Sequence, residues 1–304
     1  MRDTGKLPFF RPQLSGSTEE CSSAAGPIAV HVAGQGPPLL LIHSVNAAAS
    51  AAEVRPLHEH YASSHTVFSP DLPGFGATAR PRQLYTPRLM TDALHGVVAH
   101  IRKQFGEQPI DALAVSLSCE FLARAASERP QHFRSLALVS PTGLSGRLER
   151  RGPKESTAAM PRLHRALQFF GPGLFALLTR PGVVRFFLRK TWGGPHIDEL
   201  MFEQAVDTAK APGAEHAPLS FLSGALFSRD ILNVYESLRL PVWMCHGVRG
   251  DFTDYRQKAL LQRKANWTMR VFPTGALPHF EKTEQFCKAW DEHLARRISD
   301  DAQT

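Results

Sequence analysis

From about residue 28 onward, short apolar runs alternate with longer segments whose apolar positions recur every three or four residues. The short runs predict strands at Ile28–Val32, Leu39–His43, Thr66–Ser69, Ile110–Val115, Ser135–Val139, Val242–His246 and Met269–Phe272. Several are continuously apolar, as in a strand covered on both faces. The longer segments predict helices at Ala52–Tyr61, Pro87–Phe105, Ser118–Glu128 and Lys282–Arg297. The last of these places Phe286, Ala289, Trp290 and Leu294 on one face. Strands alternating with helices imply βαβ units and an α/β fold with a largely parallel sheet.

One interval breaks the alternation. About a hundred residues separate the strand ending at Val139 from the strand starting at Val242, whereas a parallel crossover needs only about a dozen. An inserted helical cap over residues 143–236 accounts for the length. The core is then 27–142 together with 237–304. Residues 1–26, rich in Ser, Gly, Pro and Glu, read as a flexible lead-in. Within the cap a Phe/Leu/Val run from Phe169 to Leu188 is interrupted by Gly171, Gly173 and Pro181 and flanked by Arg180, Arg185 and Arg189. Three readings fit it: helices packed on the core, a lid with an apolar substrate face, or a membrane-surface helix.

Composition narrows the class. The 304 residues are 43% hydrophobic and 21% charged, which excludes disorder, collagen and a coiled coil as the main architecture. Net charge is +7, with basic residues spread along the chain. Without a dense basic run interleaved with aromatics, a nucleic-acid partner is not expected. Cys21, Cys119, Cys245 and Cys287 form no C-x-x-C pair, which argues against a zinc ribbon or a redox motif. No His/Asp cluster has metal-ligand spacing, and no glycine-rich phosphate or dinucleotide fingerprint stands at a strand–helix junction, so neither metal nor cofactor is expected. Residues 1–26 lack a continuous apolar core, and no stretch of about 18 uncharged apolar residues exists. The expected compartment is the cytoplasm, without stable membrane insertion.

The candidate chemistry begins at Ala114-Val-Ser-Leu-Ser118, where an apolar strand meets a helix. Such a junction can project one side chain at the carboxyl edge of the sheet. Ala114 and Ser118 leave the room that a tight turn needs on either side of Ser116. Ser116 is then either a nucleophile or a helix N-cap. As a nucleophile it would draw on the Leu117 N–H at the helix start as an oxyanion donor. A second donor would come from Val45 or Ser44, just after the strand that ends at His43. His43, Ser44 and Asn46 stand where they could touch substrate, although His43 and His246 equally suit a supporting role. Asp71-Leu-Pro-Gly-Phe-Gly76 reads as a tight structural turn.

Taken in order, these segments resemble the α/β-hydrolase fold family. The resemblance rests on His43-x-x-Asn46, the Asp71-Leu-Pro-Gly-Phe-Gly76 turn, the serine junction, the inserted cap, and a late Asp and His. It covers about Ile28 to Arg297. It implies an eight-stranded, mostly parallel sheet with the cap after the sixth strand, and a Ser…Asp…His triad in that chain order. Asp251, one residue later than the family acid, would orient the imidazole, with Asp254 in reserve. The family histidine falls on Ala276, within Gly275-Ala-Leu-Pro-His-Phe-Glu281. Three arrangements are compatible with this alanine. His279 takes the role, the position was engineered to alanine to trap a ligand, or the chain lacks that base and binds a ligand or uses His43 or His246.

The resemblance thus implies a serine hydrolase acting on an ester, thioester or similar acyl bond of a medium-sized hydrophobic substrate. Ser116, His279 and Asp251 would form its triad, with Val45 and Leu117 as oxyanion donors. A serine at the junction, with no carboxylate there, disfavours halide displacement and epoxide opening. C–C bond hydrolysis and perhydrolysis remain compatible. The alternative is a catalytically impaired small-molecule binding protein on the same fold.

Overall fold

The computed structural model describes residues 14–146 and 149–301. Its centre is one eight-stranded sheet. The strands are β1 (Ser17–Ser23), β2 (Gly26–Ala33), β3 (Pro38–Ile42), β4 (Thr66–Pro70), β5 (Ile110–Val115), β6 (Phe133–Val139), β7 (Val242–His246) and β8 (Trp267–Val271). Their spatial order is β1-β2-β4-β3-β5-β6-β7-β8. β1 and β2 pair antiparallel, as do β2 and β4, and every pairing from β4 through β8 is parallel.

β1 corrects the reading of residues 1–26 as a lead-in, and residues 1–13 of that segment lie outside the described residues. The strand was hidden because it is an edge. Its sequence, Ser-Thr-Glu-Glu-Cys-Ser-Ser, buries only Cys21, and polar side chains suit a strand with solvent on one side.

Strand periodicity of two builds both faces of the core. Leu40, Ile42, Ala112, Ala114, Leu136 and Leu138 point to one side. There they meet α2 (Pro87–Phe105) and α3 (Ser118–Glu128). Leu39, Leu41, Leu113, Val115, Ala137 and Val139 point to the other. There they meet α1 (Arg55–Tyr61), which follows a 3-10 turn at Ala51–Val54, and the apolar side of the C-terminal helix.

Among the described residues, the path from β6 to β7 passes through α4 (Pro161–Leu178), α5 (Pro181–Trp192), α6 (Glu199–Thr208), α7 (His216–Leu222) and α8 (Ile231–Ser237). α8 packs in the α3 layer through Ile231, Leu232 and Val234. Three short or terminal helices complete the chain: α9 (Lys258–Gln262), α10 (Pro278–Glu281) and α11 (Thr283–Asp301).

The excursion is tied to α3 at its root by two buried ion pairs. Arg124 forks onto Asp230 at 3.1 and 2.5 Å. One turn earlier the Glu120 carboxylate accepts from Arg150 at 2.7 Å, from the Ser228 N–H at 2.9 Å and from the Thr142 hydroxyl. With their remaining lone pairs engaged, these buried charges avoid the desolvation cost that isolated ones would carry.

Candidate active site

The serine junction is a strained turn. Ser116 follows β5 with φ at 56°, in the left-handed region that a non-glycine residue occupies at a cost of about 1–3 kcal/mol. Its N–H donates to the Val139 carbonyl at 2.8 Å, so the neighbouring strand holds the turn in place. The α3 N-cap position is Leu117, not Ser116, and no side chain caps it. Ser116 is therefore presented by the turn, half-buried, and is not a capping residue. Ala114 and Ser118 on either side are fully buried. The Cys119 thiol donates to the Ala114 carbonyl at 3.2 Å, and burial pushes its pKa well up, so it stays protonated. The Leu117 N–H lies in the first turn of α3, among amides that a helix leaves without an internal acceptor.

The loop after β3 is organised by Glu53, which is buried. Its carboxylate accepts from the Ser44 N–H at 2.9 Å and from the Asn46 amide at 2.5 Å. Asn46 in turn accepts from the Ala48 N–H at 2.8 Å. The Ser44 N–H is thereby engaged, which leaves Val45 as the loop's oxyanion candidate. His43 is engaged as well: Nδ1–H donates to the Ser44 carbonyl at 2.6 Å, and Nε2 accepts from the Leu72 N–H at 2.9 Å. Both ring nitrogens of His43 thus stitch the loop to the Asp71 turn. Asp71 completes that stitching by accepting from His31 at 3.0 Å, Ala51 N–H at 2.7 Å and Ala77 N–H at 2.8 Å. As substrate-contact candidates, His43 and Asn46 have their polar atoms engaged in holding the loop.

The acid and base candidates are not brought together with Ser116 by hydrogen bonds. Asp251 is exposed and pairs with Lys190 of α5 at 2.8 Å. Asp254 is held by Arg256 at 2.9 Å. His279, the second residue of α10, is fully buried against Phe280 and Phe286. Its Nε2–H donates to the Glu53 carbonyl at 2.8 Å, and Nδ1 has no partner among the described residues. Burial pulls its pKa down to about 4, so the ring is neutral at physiological pH.

The turn carrying Ala276 is fixed from several sides. The Ala276 N–H donates to the Thr191 carbonyl at 2.8 Å. Its own carbonyl accepts from the Ser140 hydroxyl at 2.6 Å. The Gly275 N–H donates to Glu281 at 2.6 Å. A Cβ on Gly275 would lie 2.4 Å from the Thr191 carbonyl oxygen, so only glycine lets the end of α5 sit this close. His246 at the end of β7 has both ring nitrogens in use, toward the Gly247 carbonyl at 2.7 Å and Lys258 at 2.9 Å, and it stacks on Tyr255.

A strained serine turn at the carboxyl edge of a mostly parallel eight-stranded sheet, with helices intervening after β6, can be compared directly with known families. A family model described as alpha/beta hydrolase fold matches residues 37–174. The chain has the α/β-hydrolase fold. Solved structures of this fold superpose on it along nearly their whole length. A serine hydrolase involved in carbazole degradation superposes with a TM-score of 0.73 at 16% identity, covering 92% of this chain and 98% of that one. A meta-cleavage product hydrolase from Pseudomonas fluorescens IP01 gives 0.70 at 16%, covering 94% and 99%. A thermophilic esterase from Thermogutta terrifontis gives 0.69 at 18%, covering 92% and 99%. None of the curated proteins matches in sequence.

Within the α/β-hydrolase fold of this chain, Glu53 and Ser140 are site-forming residues that sequence reasoning missed. Glu53 carried a signal: it is the lone acid in the run Ala47-Ala-Ala-Ser-Ala-Ala-Glu-Val54. Ser140, with φ at 49°, carried none. Among the described residues no three His, Cys, Asp or Glu side chains form a group able to hold a metal ion.

Proposed function

We propose that the protein uses the hydrolase fold to hold a carbonyl- or carboxylate-bearing hydrophobic compound at Ser116, with serine hydrolysis impaired. One observation carries this reading. The residue standing where the family keeps its base is Ala276, and the candidate substitute three residues on, His279, has its Nε2–H on the Glu53 carbonyl. The parts that recognise an acyl oxygen are retained: the Leu117 and Val45 N–H groups would bind it, beside the Ser116 hydroxyl. The part that would take the serine proton is displaced. Proton transfer by a positioned base contributes about 10²–10⁴-fold to such reactions, and a neutral hydroxyl without one is a weak nucleophile.

Hydrolysis of an ester, thioester or related acyl bond of a medium-sized hydrophobic substrate is the second reading. The strain kept at Ser116 favours it, because a left-handed serine costs stability and serves an exposed nucleophile. In this reading His279 would release Glu53 and turn toward Ser116, with Asp251 leaving Lys190.

Fluorophosphonate labelling of the full chain tests the choice, alongside turnover of a panel of p-nitrophenyl esters. The proposal expects slow, substoichiometric labelling and the same ester turnover in wild type and Ser116→Ala. Rapid stoichiometric labelling that Ser116→Ala abolishes, with loss of ester turnover, overturns it in favour of the hydrolase.

A further inference from the structure

The outer helices of the excursion carry a surface that the candidate site does not use. α4 buries Leu167, Gly171 and Phe175. A Cβ on Gly171 would meet Leu219 of α7 at 2.4 Å, so this side of α4 is pressed against α7. The opposite side faces solvent with large apolar groups. Phe169 and Phe170 are 78% and 79% exposed, and Leu177 is exposed about two turns further on. At 3.6 residues per turn, Arg162, Phe169 and Gly173 fall on that same outward side, and Arg180, exposed, holds the N-cap position of α5 just beyond the end of α4. The helix thus presents aromatic residues in its middle and a guanidinium in its first turn, and a second guanidinium follows in the α4–α5 junction.

α5 repeats the theme. It buries Val184, Leu188 and Trp192 and exposes Phe186 and Phe187, with the Lys190 ammonium over the Phe186 ring. In the loop that meets the end of α5, Val248 and Phe252 are exposed as well.

Charge specifies what this surface fits. Residues 161–192 contain Arg162, Arg165, Arg180, Arg185, Arg189 and Lys190 and no acidic residue. Arg185 pairs with Glu199, and Lys190 with Asp251. Arg162, Arg165, Arg180 and Arg189 have no ion-pair partner among the described residues.

We propose that α4 and α5 dock the protein on an anionic membrane surface, lying in the headgroup region without crossing the bilayer. Exposed Phe and Leu enter the acyl boundary, while the long Arg side chains reach up to lipid phosphates. Among the described residues, no helix is long and apolar enough to span a membrane, which fits an interfacial position. A second copy of the chain is a poorer occupant. Packing this face on itself would set unpaired arginines against arginines across the interface. The inference holds whether or not Ser116 turns over substrate.

Co-sedimentation of the full chain with large unilamellar vesicles at low salt tests it. The protein is expected to pellet with 3:1 phosphatidylcholine:phosphatidylglycerol vesicles, to stay in solution with pure phosphatidylcholine, and to be released by high salt. Phe169→Ser/Phe170→Ser should weaken binding at least tenfold. Arg162→Glu/Arg180→Glu should weaken it by roughly thirtyfold or more, since each basic residue near an anionic surface favours binding by about fivefold. Circular dichroism melts confirm that these surface variants stay folded, and the salt and lipid dependence of the wild-type chain decides independently of them. No pelleting with anionic vesicles overturns the proposal, as does pelleting unaffected by both salt and lipid charge. A lipid-free dimer in sedimentation velocity that Phe169→Ser/Phe170→Ser abolishes, without vesicle binding, assigns the face to a second copy.

Discussion

The two halves of the candidate site differ in kind. On the β3–β5 side, the parts that the proposal assigns to an acyl oxygen are held in a fixed turn and a braced loop. Ser116 keeps its strained backbone, Ala114 and Ser118 keep the turn narrow, and Glu53 braces the loop that carries Val45. On the β7–β8 side, the residue types that could do acid–base work are engaged with other partners. Asp251 answers Lys190, His246 answers Lys258, His279 answers a backbone carbonyl, and Ala276 is clamped under α5. The halves are separable because they depend on different bonds. A receiving site needs fixed N–H donors, which the backbone supplies whatever the side chains are. A base needs one imidazole in one place, and a single substitution removes it.

The largest expected effect strikes the brace of the β3–β5 half. Glu53→Ala leaves the Ser44 N–H buried without its acceptor and the part-buried Asn46 amide with only the Ser44 hydroxyl at 3.3 Å. At about 1–3 kcal/mol for an orphaned buried group, with a smaller loss at Asn46, stability should fall by about 3 kcal/mol in urea unfolding. A loss under 1 kcal/mol would show that the loop does not depend on this carboxylate.

The second sharpens the structural reading of His279. Its pKa falls from 6.5 to about 4 on folding. As pH drops, the unfolded chain takes the proton first. The contribution is therefore complete above about pH 6.5 and is lost as pH falls through 4, by up to about 3 kcal/mol at 1.36 kcal/mol per unit. His58 and His246 are also lowered by burial and slope the same way, while His31, raised beside Asp71, slopes oppositely. His279→Gln keeps a donor for the Glu53 carbonyl and cannot titrate, so its stability–pH curve should be flatter than wild type over this window. Coincident curves would place the imidazole in solvent.

The third tries to rejoin the halves. Ala276→His restores an imidazole to the family position, and p-nitrophenyl ester turnover should rise about tenfold or more, part of the gain general-base catalysis can give. An unchanged rate would mean that the clamp from Thr191 and Ser140 denies the ring access to Ser116.

The smallest concerns strain. Ser116→Gly relieves the left-handed penalty, partly offset by the entropy of a glycine in the unfolded chain, and should raise stability by about 1 kcal/mol. A thermal melt at or below wild type would show that the turn is unstrained.

Seven of the eight strands were legible as apolar runs, most of them because a strand covered on both faces advertises itself, while β8, an edge that buries only Trp267, was legible from Met269 onward. β1 was not, because an edge buries one residue in seven and reads as polar chain. The serine turn was legible for a steric reason, small residues two positions either side. The alanine at 276 was legible as a departure from the family pattern. The destination of His279 was not. Its partner is a main-chain carbonyl 226 residues away, and every residue type offers the same carbonyl. The engagement of Asp251 with Lys190 was equally hidden, since that pairing depends on where α5 ends against the β7 loop.

The forks from Glu120 and Arg124 set how the molecule can open. They sit on successive turns of the helix that begins beside Ser116, and each would leave a bare charge in a dry place if pulled apart singly. The excursion therefore has a riveted foot. Because these pairs anchor the excursion to the helix that follows Ser116, any displacement of α4 to α7 that leaves them intact would leave the serine turn in place.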